Sequence, residues 1–399
     1  MRQETVQCCV VGGGPAGLMV GVLLARQGVE VLVLEKHADF LRDFRGDTIH
    51  PSTQELMYEL GWLDDFQQIP HSKMEQVTVS MAGNLVTFAD FRKLKVHCPY
   101  IAFMPQWDFL DFLVTKGKTF PSFRLLQSTE VRELLVEEGR VVGVRATAVD
   151  GPLEVRADLV IAADGRDSIC RAQSGMETIS NAPFIDVLWF RVSRKDNDKV
   201  AFFQSGKGVL VVINRGNYWQ VAYVIPSRAF AEVRAAGLAE FHTRVAALAP
   251  ALGDRMHEID SWDQVHQLTV RVDRLKTWHR PGLLCIGDAA HAMSPAGGVG
   301  INLAVQDAVA TANILGPKLR VNTLNDSDLS RVQARRELPT RITQKFQVAV
   351  LRDLYPKDLH DDTARHTPPI FTAFRLLPPL RHAMGRFIGL GIRQEHISN

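Results

Sequence analysis

Val6-Gln7-Cys8-Cys9-Val10-Val11 is an apolar run of strand length that breaks off at Gly12-Gly13-Gly14-Pro15-Ala16-Gly17. Leu18, Val22 and Ala25 then recur at helical spacing as far as about Gln27, and Gly28 stands where a helix stops. A second apolar strand, Val29 to Leu34, ends on Glu35. The pattern predicts one unit of strand, glycine turn, helix and strand.

Beyond it, His37 to Pro51 is polar and reads as loop and turn. Ser52-Thr53-Gln54-Glu55 caps a predicted helix carrying Leu56, Met57 and Leu60 and closed by Gly61. Val77-Thr-Val-Ser and Leu85-Val-Thr-Phe alternate as antiparallel strands do, and Met104 to Asp108 opens a helix with Phe109, Leu110, Phe112 and Leu113. Arg124 to Val149 reads as a meander turning at Glu137-Glu138-Gly139, and Ala157 to Ala163 as a buried strand ending in Asp164-Gly165. Alternating strands dominate from Phe184 to Pro226, and one helix is expected from about Arg228 to Leu248. Leu283-Leu-Cys-Ile-Gly287-Asp288 returns to a fully buried strand of parallel type. The rest from Gly300 reads as helical, with Asn302 to Leu315 the clearest stretch. After Pro378-Pro379, Arg381, Arg386 and Arg393 lie among Phe387, Ile388 and Leu390. A membrane-surface helix is one reading there, but the sparse charge favours docking onto the protein's own body.

With 46% hydrophobic residues, the 399-residue chain can bury more than one core. Its 46 Lys and Arg nearly balance 44 Asp and Glu, so no bulk field argues for nucleic acid. Met1 to Thr5 leave no room for a signal peptide before the first strand, and no apolar run reaches membrane-span length. The five cysteines show no CxxC pair and no metal-like spacing. A cytoplasmic protein with reduced thiols and no metal is expected. Cys8 and Cys9, adjacent in a strand, point to opposite faces as core packing.

The glycines have separate uses: Gly12 for a tight turn, Gly14 for close approach of a pyrophosphate, and Gly17 for close packing of helix on strand. Pro15 suits the first helical turn. The helix N-terminus faces the phosphates, and Glu35, roughly 20 residues on, is placed to bond a ribose hydroxyl. An acid there repels a 2′-phosphate, which leaves FAD or NAD as occupant. The late strand repeats the logic. Asp288 at its C-terminal edge suits a chain of hydroxyls, and Ser294-Pro295-Ala296-Gly297-Gly298-Val299-Gly300-Ile301-Asn302 brings backbone N–H groups to a helix start.

Three separated motifs, Gly12 to Gly17 with Glu35, Asp164-Gly165, and Gly287-Asp288 through Asn302, stand in the order found in single-component FAD-dependent aromatic hydroxylases. The chain resembles this group, typified by para-hydroxybenzoate hydroxylase, over nearly its whole length. The resemblance implies an α/β fold: a Rossmann-like FAD-binding domain of glutathione-reductase type, an inserted mixed or antiparallel β-sheet substrate domain, and C-terminal helices. Residues 1–73, 100–180 and 271–320 would form the FAD domain, 74–99 and 181–270 the substrate domain, and 321–399 the helical region.

The resemblance also implies roles. Gly12, Gly14, Pro15, Ala16, Gly17, Glu35 and Lys36 would hold the ADP part of FAD, and Gly287 and Asp288 the flavin ribose. Asp164 and Gly165 would serve FAD and the nicotinamide cofactor. Arg45 would lie near the flavin, and Gln106 would contact FAD from the start of its helix. Pro295, Gly298, Gly300, Ile301 and Asn302 would line the ring, while His291 is divided between a site role and a core role. NADH or NADPH, bound transiently without a second glycine fingerprint, would reduce FAD; dioxygen would give a flavin C4a-hydroperoxide, and its distal oxygen would pass to an electron-rich ring. Arg45, Pro295 and His50 are the catalytic candidates, and Trp189, Arg191, Gln204 and Tyr223 the substrate candidates. His50 or Arg191 would supply the base or cation a phenol needs. The partners expected are a small aromatic substrate and dioxygen, with the chain a monomer or homodimer.

Other readings use the same fold. Halogenases of this kind carry Trp-x-Trp-x-Ile-Pro where this chain has Val221-Ala-Tyr223-Val-Ile225-Pro226, which argues against halogenation. A flavin-dependent lipid reductase, or a flavoprotein that binds FAD or an aromatic without catalysis, remain alternatives. The larger phenol and polyketide hydroxylases add a thioredoxin-like C-terminal domain, a subgroup the chain's length disfavours.

Overall fold

The computed structural model describes residues 2–41, 48–81, 84–181, 185–198, 200, 202–205, 208–354 and 369–398. Parallel pairing at the start of the chain sets its architecture. Arg2–Val11 lies between Gly151–Ala162 and Val31–Leu34, with Cys8 opposite both Leu159 and Val31. Leu283–Cys285 and Phe123–Leu126 extend this parallel run at its two sides. Strands covered on both faces read as continuous apolar runs, and Cys8, Cys9 and Val10 are all 0% exposed. Because the strands are parallel, the turns after Val11, Leu34, Ala162 and Cys285 emerge at one edge. Segments far apart in sequence thus meet where ligands bind in such sheets.

The helix Pro15–Arg26 is buried from Ala16 to Ala25, packed between Gln106–Gly117 and Gly300–Arg320. Its expected stop at Gly28 is present, with φ +83° and its N–H bonded to the Ala25 carbonyl. The expected meander is divided. Phe123–Leu126 joins the parallel sheet, while Glu130–Glu137 and Arg140–Ala148 form a hairpin that turns through Glu138 and Gly139, both at positive φ.

Among the described residues a second, seven-stranded sheet runs in the order His266–Thr269, Ile185–Ser193, Tyr218–Pro226, Val209–Asn214, Phe203–Ser205, Gln76–Met81, Asn84–Asp90. Its pairs are antiparallel except Phe203–Ser205 with Gln76–Met81. One face carries Val187, Trp189, Ile213, Ala222 and Val224, and the reverse carries Leu188, Phe190, Val212, Val221 and Tyr223. The reverse face is covered in part by Phe241 and Val245 of Leu238–Leu248. The single helix expected from Arg228 to Leu248 is in fact two, Phe230–Ala236 and Leu238–Leu248. Gly237 divides them at φ +88°, ψ 163°, which no helix accommodates.

The C-terminal basic segment docks on the protein itself. Pro378–Leu390 packs on Asn84–Asp90 so closely that a Cβ on Gly385 would lie 2.2 Å from the Asp90 carbonyl oxygen. The tail then follows Gly300–Arg320, with Glu395 N donating to Gln306 Oε1 at 2.5 Å and Ile397 N to Glu59 Oε2 at 2.8 Å. Among the described residues no helix is long and apolar enough to cross a membrane.

Candidate active site

The motif-bearing turns open into one cavity of about 1190 Å³, which runs from Gly12–Ala16 past Asp164 and Asp288 to Pro295 and on beneath the seven-stranded sheet. Its first end is built by close backbone approach. Gly12 has φ +102°, and a Cβ there would lie 2.5 Å from the Ala163 carbonyl oxygen; a Cβ on Gly17 would lie 1.9 Å from that of Gly12. Gly14 faces open space, with nothing within 4 Å of where its Cβ would stand. The helix behind has no side-chain cap, so its free N–H groups and positive dipole end face the cavity. Glu35 is held ready at this end, with Oε2 accepting from Gly13 N at 2.7 Å and Oε1 from His37 N at 3.0 Å. Pro15, Ala16 and Lys36 line the same end.

Asp164 and Gly165 line the middle. Asp164 Oδ2 accepts from Cys170 N at 3.2 Å, while Oδ1 is buried without a partner. Burial raises this carboxyl above its ordinary value. Across from it Asp288 Oδ2 accepts from Arg166 Nε at 3.0 Å, and Arg166 Nη2 reaches the Met293 carbonyl at 3.2 Å. Sequence reasoning did not single out Arg166; its place directly after Asp164-Gly165 was the available signal.

Gly287 is pinned from behind. Its N–H donates to Asp307 Oδ2 at 3.2 Å, the same oxygen that meets His291 Nε2 at 2.5 Å, while Arg336 Nε donates to Asp307 Oδ1 at 3.0 Å. Burial alone would raise the Asp307 carboxyl, yet His291 and Arg336 hold it below its ordinary value. His291 is 1% exposed and belongs to this buried network, which decides for its core role. Arg336 also bonds Glu395 at 3.1 Å, so the network ties the Asp288 turn to the C-terminal tail.

Pro295, Gly298, Gly300 and Ile301 line the cavity, and the helix Gly300–Arg320 starts there without a side-chain cap. Asn302, expected on the ring, instead clamps the loop. Its Oδ1 accepts from His50 N at 2.9 Å and Thr53 Oγ1 at 2.8 Å, and its Nδ2 donates to the carbonyls of Thr48 and Gly298. His50, a catalytic candidate by sequence, is 0% exposed, with Nδ1 donating to the Ile388 carbonyl at 2.8 Å. Burial pushes its pKa down to about 4, so it is a neutral strut behind the cavity and not part of its lining. Arg45 lies outside the described residues.

Gln106 lines the cavity, and Trp189 lies on the cavity face of the sheet. The other three substrate candidates stand elsewhere. Tyr223 is on the reverse face against Phe241, with ring centroids 5.9 Å apart, and Gln204 alternates away from Phe203. Arg191 lines a separate cleft. What does cover the cavity is an apolar roof, in which Val187, Trp189, Phe203, Val211, Ile213 and Val224 are joined by Met384 and Ile388 from Pro378–Leu390. Among the described residues no group of three or more His, Cys, Asp or Glu is placed to hold a metal ion.

An open glycine cradle fits a pyrophosphate, the oriented acids and an unpartnered buried carboxylate oxygen fit sugar hydroxyls, and a capless helix start fits a polar ring edge, which together are the parts of FAD. Comparison with known proteins agrees. Residues 5–345 match the family model described as FAD binding domain. The chain is 33% identical over 343 residues to a 6-methylpretetramide 4-monooxygenase of Streptomyces rimosus, spanning 85% of this chain and 82% of that protein. It is 26% identical to a para-nitrophenol 4-monooxygenase of a Pseudomonas species, over 77% and 76% of the two chains. It spans 60% or 61% of several other, longer relatives. Among solved structures, a probable FAD-dependent monooxygenase from Pseudomonas aeruginosa superposes with a TM-score of 0.75 at 19% identity, covering 89% of this chain and 98% of that one. Flavin-dependent halogenases share the fold too; it is the sequence relatives that favour oxygen transfer.

Proposed function

The chain belongs to the FAD binding domain family of aromatic-compound monooxygenases, and we propose that it hydroxylates a large, neutral, multi-ring aromatic compound with NADH or NADPH as reductant. The observation that carries this reading is the roof. The charged residues that line the cavity among those described, Glu35, Lys36, Asp39, Glu130, Asp164, Arg166, Asp167, Arg271 and Asp288, belong to its other walls, and no charged side chain of the sheet's described residues lines it; Arg191 and Arg215, further along their strands, line a separate cleft. A carboxylate buried there would meet no cation among the described residues of the roof, at a cost of several kcal/mol. Single-ring phenolic acids are therefore disfavoured.

Size points the same way. Strands from Gln76–Met81 to His266–Thr269 contribute lining residues, and at about 4.8 Å per strand the roof is on the order of 20 Å wide. The volume exceeds the roughly 300–1,000 Å³ of a single-ligand pocket, which suits a flavin and a multi-ring substrate together. The names of the relative above and of an anhydrotetracycline monooxygenase, 25% identical, support a substrate of this class.

When bound, FAD supplies the reducible ring at which dioxygen is activated. The chain's own residues do the rest. Glu35 and the Arg166–Asp288 pair would orient the sugar hydroxyls, the backbone N–H groups at Gly300 and Ile301 would be available to the ring edge, and the roof would exclude water that quenches oxygen transfer. The described part of the roof offers no titratable base, which suits a substrate whose reacting ring is electron-rich on its own. A screen of neutral multi-ring phenols against single-ring hydroxybenzoates, read by substrate-stimulated NAD(P)H oxidation and by the mass of one added oxygen, tests this. Preference for a hydroxybenzoate would overturn it.

A further inference from the structure

Along the cavity face of the second sheet the side chains change character toward one end. Trp189 and Ala222, paired with each other, line the flavin cavity with Val211 and Ile213, whereas the next position on the same face of each strand, Arg191, Gln220 and Arg215, lines a second cleft of about 550 Å³; the boundary is stepped, since Ile213 pairs with Gln220. Two residues along a strand cover about 7 Å, so the cleft begins within a ring's length of the cavity. One segment walls both, with Pro105 and Trp107 toward the cleft and Gln106 toward the cavity.

The chemistry of the cleft is mixed in a specific way. Arg215 Nε donates to Gln220 Oε1 at 2.8 Å, and Gln220, 4% exposed, has its Nε2 buried and without an acceptor. A buried amide donor so placed is costly until a ligand oxygen takes it. Burial also pushes Arg215 down to about 10, a cost that an adjacent phosphate would relieve. Two acids, Glu258 and Asp263, line the cleft as well. Their charges cancel those of the arginines, so the cleft is no simple anion trap. Guanidiniums suit a pyrophosphate, carboxylates suit ribose hydroxyls, and the rings of Trp107 and Tyr218 suit a stacked base. A bare anion would use the first set and be repelled by the second; a dinucleotide uses all three.

We propose that this cleft docks the adenosine diphosphate half of NAD(P)H, leaving the nicotinamide to reach past Gln106 toward the flavin. The inference rests on the reading of NAD(P)H as reductant. It gives the adenosine diphosphate half of the reductant a place in a chain whose sequence offers the nicotinamide cofactor Asp164-Gly165 but no second strand–glycine turn–helix fingerprint.

The test uses the FAD-loaded protein, with ADP-ribose as a redox-inert probe followed by calorimetry and NADH and NADPH followed by anaerobic flavin reduction. Replacing both cleft cations (R191A/R215A) is expected to raise the ADP-ribose Kd and the half-saturating NAD(P)H concentration by about tenfold or more, with FAD content unchanged. Arg191→Glu, at an exposed position, should act in the same direction without risk to folding. No binding of ADP-ribose to the wild-type protein, unchanged constants in the variants, or a rise in half-saturation for the aromatic instead of NAD(P)H would each overturn the inference. Protein reduced with dithionite and mixed with dioxygen and an aromatic separates the two claims. Hydroxylation there keeps the proposed function whatever the cleft does, and its failure removes the function whatever ADP-ribose does.

Discussion

His50 makes the protein's stability fall with acid in a defined window. Its imidazole is 0% exposed and bonded through Nδ1 to the Ile388 carbonyl, which requires a proton on Nδ1, while burial with Nε2 left without a partner disfavours a second proton. In the unfolded chain the ring takes a second proton near its ordinary 6.5, whereas in the fold burial delays this to about pH 4. Between those values the unfolded state binds more protons, so stability is fully present above about 6.5 and is lost as pH falls toward 4. At about 1.4 kcal/mol per pH unit, the gap corresponds to a loss of about 3 kcal/mol that levels off below pH 4. His50→Asn keeps a donor for Ile388 and a residue type favoured at the start of the helix Pro51–Glu59, but removes the titration. Urea midpoints measured from pH 7 to pH 4 on the two proteins isolate the difference, because every other carboxylate and histidine is shared. The variant is expected to lose about 3 kcal/mol less across the window. Parallel curves for the two proteins would refute the buried neutral His50. Since His50 N also bonds Asn302, which clamps the Gly298 loop, flavin release should follow the same acid profile.

Other consequences follow from single contacts. Gly17→Ala puts a Cβ 1.9 Å from the Gly12 carbonyl oxygen, so purified protein should carry little FAD; normal flavin content would contradict the close packing. Asp307→Asn removes the buried charge between His291 and Arg336, with an expected loss of about 3–5 kcal/mol and roughly 5–10 °C in Tm; a melting curve within about 1 °C of wild type would refute that pairing. Trp189→Ala should raise KM for the aromatic about tenfold or more by opening the roof, while Tyr223→Phe, on the reverse face, should leave turnover unchanged. Equal effects of the two substitutions would place the substrate elsewhere.

The cofactor half of the site was legible because its instructions are local. A tight turn needs Gly12, a helix crossing within 1.9 Å of a would-be Cβ needs Gly17, and an acid at a strand end needs only the strand before it. Parallel pairing then carries Glu35, Asp164 and Asp288 to one edge without further information. What those local signals omit is who stands behind them. Asn302 reads as a ring contact in sequence because it opens a helix after glycines, yet its amide is spent on His50, Thr53, Thr48 and Gly298. Arg336, Glu395 and the tail reach the Asp288 turn through contacts some 30 to 60 residues apart, which no local pattern announces.

The substrate half was obscure for a different physical reason. A strand with one wet face alternates, and its polar residues mark that face; Ile185–Ser193 and Tyr218–Pro226 are buried on both faces for most of their length. Without alternation the parity of the strands is not set by sequence, and picking the polar residues as candidates selected Tyr223 on the wrong side. The side is settled by what covers it. Helix Leu238–Leu248 takes one face and the flavin cavity the other, and Pro378–Leu390 closes the cavity with Met384 and Ile388 because Gly385 and Gly389 let it lie against Asp90, Phe91 and Pro51. On the proposed function, the C-terminal helix therefore contributes to substrate choice through Met384 and Ile388. Enlarging Gly385 to Val, against a backbone oxygen 2.2 Å from its would-be Cβ, should lift that helix and raise KM for the aromatic while leaving FAD content intact. If FAD were lost as well, or KM did not move, the helix would not be the independent wall that the geometry makes it.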